Sequence, residues 1–286
     1  MRSLRVFALL LAVVFLVACS RTPEPTVITQ PATTAPILTT QPTEEETYSF
    51  PDDDVNWQFG PNVERNRFTV EDFGYRDGVF TCLTEPCMLG IDVSSYQESI
   101  DWQQVRDAGI EFVMIRIGGR GYGYEGNLFA DSMANAHYQG AKEAGLKVGA
   151  YFFSQATEEA EALEEAQFAL KLLEGWELDL PVAYDWEFIS YEARTGYTDL
   201  YTVAMCSIVF CEEMKLAGYD PMVYFGLWYG YPFFELLMQY PVWIALYTEE
   251  MDYNYRFDMW QHSCTGNVPG VKGDVDLNIY FPPKTE

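Results

Sequence analysis

Past residue 88 the chain settles into a repeating alternation of short apolar runs and longer amphipathic stretches. The runs are rich in β-branched and aromatic residues, at Leu89–Val93, Phe112–Ile117, Val148–Phe153, Pro181–Trp186, Met222–Phe225, Val242–Leu246 and Phe257–Gln261. A weaker eighth lies around Val275–Leu277. Runs of this length and composition predict strands. The intervening pattern predicts helices in two places. Thr157 stands ready to cap one whose first turn carries Glu158 and Glu159; Leu163, Ala166, Leu170 and Leu173 fall on one face, and Gly175 ends it. Another stretch, from about Tyr197 to Ala217, stops at Gly218 with Pro221 beyond. Strands alternating with helices argue for parallel β/α units. Eight strand candidates within residues 89–281 therefore predict an α/β fold, an irregular (β/α) TIM-like barrel. The late connections are too short for full helices, so the late helices should be shortened or missing.

Upstream the pattern is different. Arg2 and Arg5 precede an apolar run, Val6 to Ala18, too short for the ~20 apolar residues of a spanning helix. A basic start before such a run reads as a secretory signal, residues 1–18. Leu16-Val17-Ala18-Cys19 resembles the bacterial lipoprotein box, which implies cleavage before Cys19 and lipidation of its thiol. From Ser20 to Phe50 there are nine Thr and five Pro without apolar periodicity. Such a segment cannot bury a core and predicts a tether over residues 19–51. Residues 52–88 are transitional, with Trp57, Phe59, Phe68, Phe73, Tyr75 and Phe80 scattered among turn signals such as Asp77-Gly78. They can pack as a strand pair against the main domain.

Charge narrows the class of partner. With 17 basic and 43 acidic side chains the formal charge of the 286-residue chain is −26. Nucleic acid is held by Lys and Arg clusters, which are missing here, so no nucleic-acid partner is expected. Attachment to anionic lipid would have to come from the anchor, placing the protein outside the cytoplasmic membrane. With only His137 and His262 in the chain, no zinc spacing can be assembled, and no metal or cofactor is expected. Cys82 and Cys87 lie close enough in sequence to pair. Cys206 and Cys211 fall about 140° apart around a helix, which disfavours pairing within it. Counting Cys264, an odd number of cysteines follows Cys19.

The candidate chemistry is concentrated in acids at strand ends. In Leu180-Pro181-Val182-Ala183-Tyr184-Asp185-Trp186-Glu187, side-chain alternation puts Ala183, Asp185 and Glu187 on one face. The C-terminal ends of barrel strands are where such folds place their sites. Crowding two carboxyls lets one keep a proton while the other stays ionised, which glycosidic cleavage requires. Two acids at a solvated strand end are the other reading of this pattern. Asp92, inside an apolar strand, is costly unless paired or lining a cavity. Arg116 and Asp276 also sit at strand ends, and an ion pair between Arg116 and one of the acids is the structural alternative. The same rim is expected to carry Tyr151, Tyr224, Trp243, Tyr247 and Trp260, whose rings suit sugar faces.

Taken in order, these motifs resemble the glycoside hydrolase family 25 lysozymes, the N-acetylmuramidases. The resemblance runs from Gly90-Ile91-Asp92-Val93-Ser94-Ser95-Tyr96-Gln97 and Ile100-Asp101-Trp102 through Phe112-Val113-Met114-Ile115-Arg116, Gly145-Leu146-Lys147-Val148-Gly149-Ala150-Tyr151 and Asp185-Trp186-Glu187. It continues in Trp243-Ile244-Ala245-Leu246-Tyr247, Trp260-Gln261 and Val268-Pro269-Gly270, and ends at Val275-Asp276-Leu277-Asn278. It implies a catalytic barrel over residues 89–281 that cleaves the β-1,4 bond between N-acetylmuramic acid and N-acetylglucosamine in peptidoglycan. It implies Asp92, Asp185 and Glu187 as catalytic carboxylates. Glu187 would be the proton donor, and Asp185 would orient the substrate's 2-acetamido group. Asp92 would be a nucleophile or an electrostatic partner. Arg116, Tyr151, Tyr224, Trp243, Tyr247, Trp260, Gln261 and Asp276 would bind glycan. Many relatives carry His where this chain has Phe152, which implies the loss of one hydrogen bond in the cleft. A chitinase-like or endo-N-acetylglucosaminidase barrel is the alternative enzyme, and a glycan-binding protein without turnover is the alternative outside catalysis.

Overall fold

The computed structural model describes residues 64–226 and 234–283, together with two short paired strands, β1 (Thr47–Tyr48) and β2 (Trp57–Gln58). The signal segment 1–18, Cys19 and most of the segment to residue 63 lie outside the described residues. So do 227–233 and 284–286.

Eight strands close into a barrel. In chain order they are β5 (Met88–Val93), β6 (Phe112–Arg120), β8 (Lys147–Ser154), β9 (Val182–Trp186), β10 (Pro221–Gly226), β11 (Val242–Ala245), β12 (Met259–Gly266) and β13 (Val275–Tyr280). A short strand, β7 (Leu128–Ala130), folds back on β6. Neighbours from β5 to β12 pair in parallel. The last strand departs from the expected pattern: β13 runs antiparallel to both β12 and β5. The connection from β12 to β13 carries no helix, and a parallel return needs a crossover of a dozen or more residues. The turn therefore sends β13 straight back down. As a result, the beginning of β13 lies at the rim where the other strands end.

Alternation along each strand separates two faces. Met88, Phe112, Met114, Ala183, Met222, Trp243, Met259 and Tyr280 fill the barrel interior. Gly90 is needed there, since a Cβ at that position would stand 2.3 Å from the Phe112 ring. The outward face is clad by α1 (Trp102–Asp107), α2 (Ala134–Glu143), α3 (Glu159–Leu172) and α4 (Leu200–Leu216). On α3 the buried stripe is Ala162, Glu165, Ala166 and Ala169, while Leu163 is exposed. Of the expected stripe Ala166 and Leu173 are buried and Leu170 packs against the core, while Glu165 also turns inward to meet Arg120 at 2.8 Å. Thr157 gives no cap to α3; its hydroxyl and amide bond Glu161 instead.

Beyond β10 the only helix among the described residues is one turn, Phe234–Leu237. The outer face of β12 would then be bare, and a segment from upstream covers it. Strands β3 (Phe73–Arg76) and β4 (Val79–Cys82) form a hairpin on the turn Asp77-Gly78, where both residues have positive φ, 54° and 83°. Phe73 and Phe80 pack edge-on against Trp260, with ring centroids 4.9 and 5.8 Å away. Phe68 seals the margin against Phe257 and Phe281. The pairing open to Cys82 and Cys87 is not made: both are free thiols, as are the buried Cys206 and Cys211 on α4.

Candidate active site

Strand ends bring four acids to one rim of the barrel. Asp92 is the inward residue near the end of β5, and Asp185 holds the same place on β9. Glu187 follows just past β9. Asp276, the second residue of β13, stands directly opposite Asp92 in the β5–β13 ladder. Asp92 and Asp185 are buried, and Glu187 and Asp276 are half-buried.

Burial raises all four carboxyls, and the charges of neighbouring acids add to the rise of Asp185, Glu187 and Asp276. Asp185 lies well above the usual carboxylate range, first through burial, then through the charges of Glu187 and Asp92. Glu187 is raised by burial and opposed by its hydrogen bond with Asp185. Burial, with Asp92 and Glu187 nearby, lifts Asp276 to about 8. Asp92 rises only to about 6, because burial is opposed by two hydrogen bonds. Asp185 and Glu187 titrate as a pair, both raised, while the two hydrogen bonds to Asp92 favour its charged form.

The two hydrogen bonds to Asp92 come from side-chain amides. Gln261 Nε2 on β12 and Asn278 Nδ2 on β13 both donate to Asp92 Oδ2, each at 2.8 Å. The Tyr224 and Tyr247 hydroxyls donate to Gln261 Oε1 at 2.9 and 3.0 Å. Trp243 Nε1 donates to Asn278 Oδ1 at 2.9 Å. Trp243 is only 1% exposed, so it forms the floor beneath the acids, with the Tyr224 ring edge-on to it at 4.8 Å. Tyr151 is also inward and buried, close enough to feel Arg116, Asp92, Asp185 and Asp276.

Arg116 ends its inward row on β6, but its partner is none of the four acids. Its guanidinium binds Asp131 at 2.8 Å and Ser95 Oγ at 3.2 Å, and lies over the Tyr96 ring. Asp131 also accepts from the Ser95 and Met133 amides. In sequence Asp131 has only the signature of a residue leading into a helix, so its pairing with Arg116 carried no legible signal. A second arrangement steadies Glu187. Gln155 Nε2 donates to the Glu187 carbonyl at 2.6 Å, and Thr195 Oγ1 donates to Gln155 Oε1. Arg194 ties the same loop to the Gln155 carbonyl and to Glu161.

Two expected placements are corrected. Trp260 is not at the rim: it is 0% exposed on the outer face of β12, under the hairpin, because its neighbour Gln261 takes the inward place. Phe152 likewise points outward, packed on Phe168 and Phe210, while Tyr151 faces in. The identity of residue 152 therefore removes no hydrogen bond from the cleft. Tyr224, Tyr247, Gln261 and Asp276 do converge with the three acids. Among the described residues no group of three or more His, Cys, Asp or Glu is disposed to hold a metal ion. No described helix is long and apolar enough to cross a membrane.

The profile of the Glycosyl hydrolases family 25 matches residues 91–271. The uncharacterized protein YegX of Escherichia coli (strain K12) is 28% identical over 244 residues, covering 81% of this chain and 84% of its own length. The autolytic lysozyme of Clostridium acetobutylicum is 29% identical over 195 residues, covering 68% of this chain and 56% of that one. The modular autolysin LytC from Streptococcus pneumoniae, solved with a synthetic peptidoglycan ligand, superposes with a TM-score of 0.63 at 21% identity. That match covers 79% of this chain, which spans a little over half of LytC, 56% of its length.

Proposed function

Because the chain belongs to family 25 of the glycosyl hydrolases, and is thus a glycoside hydrolase of the lysozyme type, we propose that it cleaves peptidoglycan between N-acetylmuramic acid and N-acetylglucosamine. The observation that carries this reading is the convergence of four acids on one rim, with Asp92 held by two side-chain N–H donors beside the neighbouring pair Asp185–Glu187. Glycoside hydrolysis needs one carboxyl with a proton to give and a second that stays negative beside the developing oxocarbenium centre.

In the proposed mechanism Glu187 delivers the pair's proton to the leaving oxygen, after which both carboxyls of the pair are ionised. Asp185 Oδ1 is buried and has no hydrogen-bond partner among the described residues. That oxygen is placed to accept the N–H of a 2-acetamido group, whose carbonyl oxygen then attacks the anomeric carbon. The C–O bond to the leaving sugar breaks as the new C–O bond forms, and water later opens the oxazolinium ring. Asp92, with one oxygen committed to two N–H donors, supplies fixed negative charge to the transition state. Tyr151, Tyr224, Tyr247 and Asp276 line the glycan's path, and Arg116 with Asp131 shapes the Ser95–Tyr96 side.

The N-terminal segment supports a second part of the reading. Cys19 would carry lipid, and residues 19–51 would hold the barrel off the membrane on its outer side. Tethering raises local concentration at the wall, which replaces the electrostatic attraction that a −26 chain lacks. The test of the activity is digestion of purified peptidoglycan followed by borohydride reduction and mass analysis. Muramitol ends support the proposal; glucosaminitol ends would favour the endo-N-acetylglucosaminidase reading, and intact glycan a binding protein.

A further inference from the structure

We propose that Asn278 is a positioning residue that holds Asp92 as a hydrogen-bond acceptor, with the Trp243 indole fixing which way the Asn278 amide faces. The inference rests on the reading of Asp92 as a catalytic carboxylate. The oxygen and nitrogen of an Asn side chain are ordinarily interchangeable in a structure, and only the surrounding bonds decide between them. Here they do. An indole N–H can only donate, so the atom 2.9 Å from Trp243 Nε1 must be Asn278 Oδ1. The Asn278 NH₂ then faces Asp92 Oδ2 at 2.8 Å, and an N–H opposite that oxygen excludes a proton on it.

Gln261 acts on the same oxygen from the other side, but its orientation rests on two tyrosine hydroxyls, which can accept as well as donate. The Trp243–Asn278 pair is the unambiguous lock. It is also inaccessible to water: both residues are 1% exposed. The charged and titratable groups around Asp92 are Asp276 on β13, Asp185 and Glu187 from β9, Tyr151 on β8, Tyr224 on β10 and Tyr247 after β11. The carboxyls among them favour protonation of Asp92 when they are ionised, and the tyrosine hydroxyls stay neutral where it titrates. Arg116 on β6 is engaged by Asp131. The amides of Asn278 and Gln261 are what oppose that trend.

The experiment is to follow the Asp92 carboxyl directly, by ¹³C NMR titration of labelled full-length protein, in the parent, Asn278→Leu and Trp243→Phe. Asn278→Leu keeps the volume and removes the N–H. Trp243→Phe keeps an aromatic floor and removes the donor that orients the amide. The Asp92 titration should move up by about one pH unit in Asn278→Leu and by a smaller step in Trp243→Phe. The acidic limb of kcat should move with it, by the same step in each variant. An unchanged Asp92 titration in either folded variant overturns the inference. If Asn278→Leu does not fold, Trp243→Phe decides. A parent that cleaves no peptidoglycan would count against the proposed function alone, because the titration still reads the hydrogen bond.

Discussion

Asp276 stands across the β5–β13 ladder from Asp92, so two carboxyls that repel when ionised face each other at one rim. The antiparallel course of β13 creates this pair: a parallel last strand would have carried its second residue to the opposite end of the barrel. The consequence is a fold that favours mild acid. Asp276 moves from an ordinary 3.8 to about 8 on folding, and Asp92 from 3.8 to about 6. Between about pH 4 and 8 the folded chain therefore binds more protons than the unfolded one, and stability falls as pH rises through this window. Thermal melts from pH 5 to 8 should show a declining Tm. Asp276→Asn should flatten that decline and stabilise the protein at pH 8 by on the order of 1 kcal/mol. A parent Tm that climbs from pH 5 to 8 would contradict this.

Asp185→Asn removes one of the two carboxyls proposed to be ionised once the shared proton leaves. Turnover should drop at least ~100-fold, as for loss of one preorganised electrostatic group. The basic limb of the pH profile should also move down, because an amide at that position can donate an N–H to the ionised Glu187 but cannot share its proton. A pH–kcat series on solubilised peptidoglycan measures both.

The hairpin β3–β4 substitutes for a missing helix, and its removal should be felt throughout the barrel. Phe73→Ala vacates the space between Phe68 and Trp260 and should cost about 3–5 kcal/mol, measured by urea unfolding. A chain beginning at residue 52 should keep both fold and activity. One beginning at residue 89 should lose stability because Trp260 is uncovered.

Much of this architecture was legible in the chain. The eight strands lie where the apolar runs place them, and the Asp77-Gly78 turn marks the hairpin. Alternation in Val182–Trp186 put Ala183 and Asp185 on one face. What alternation cannot say is which face is inside. Trp260 and Gln261 are neighbours in one strand, so both cannot face the cleft, and burial of the outer face under the hairpin decided between them. The same holds for Tyr151 and Phe152. The Arg116–Asp131 pair joins a strand to the turn before α2, and the Asn278 lock joins three strands. Such contacts depend on closure of the barrel, which no local pattern encodes.

The anchor has its own test. Cys19→Ala should leave the protein unprocessed or mislocalised, while leaving the barrel's activity in a soluble extract intact. Fractionation and mass measurement of the mature N-terminus check it. A Cys19→Ala protein that still partitions into membranes with a normally modified N-terminus would refute the lipoprotein reading.

In the proposed mechanism the proton comes from Glu187. Glu187→Gln keeps the side chain's shape and hydrogen-bonding capacity but has no proton to transfer, so kcat on purified peptidoglycan should fall by ~10²–10⁴-fold. Affinity for a muropeptide, measured on the same preparation by calorimetry, should stay within a few-fold of the parent. A Glu187→Gln protein that cleaves near the parent rate would contradict the assignment.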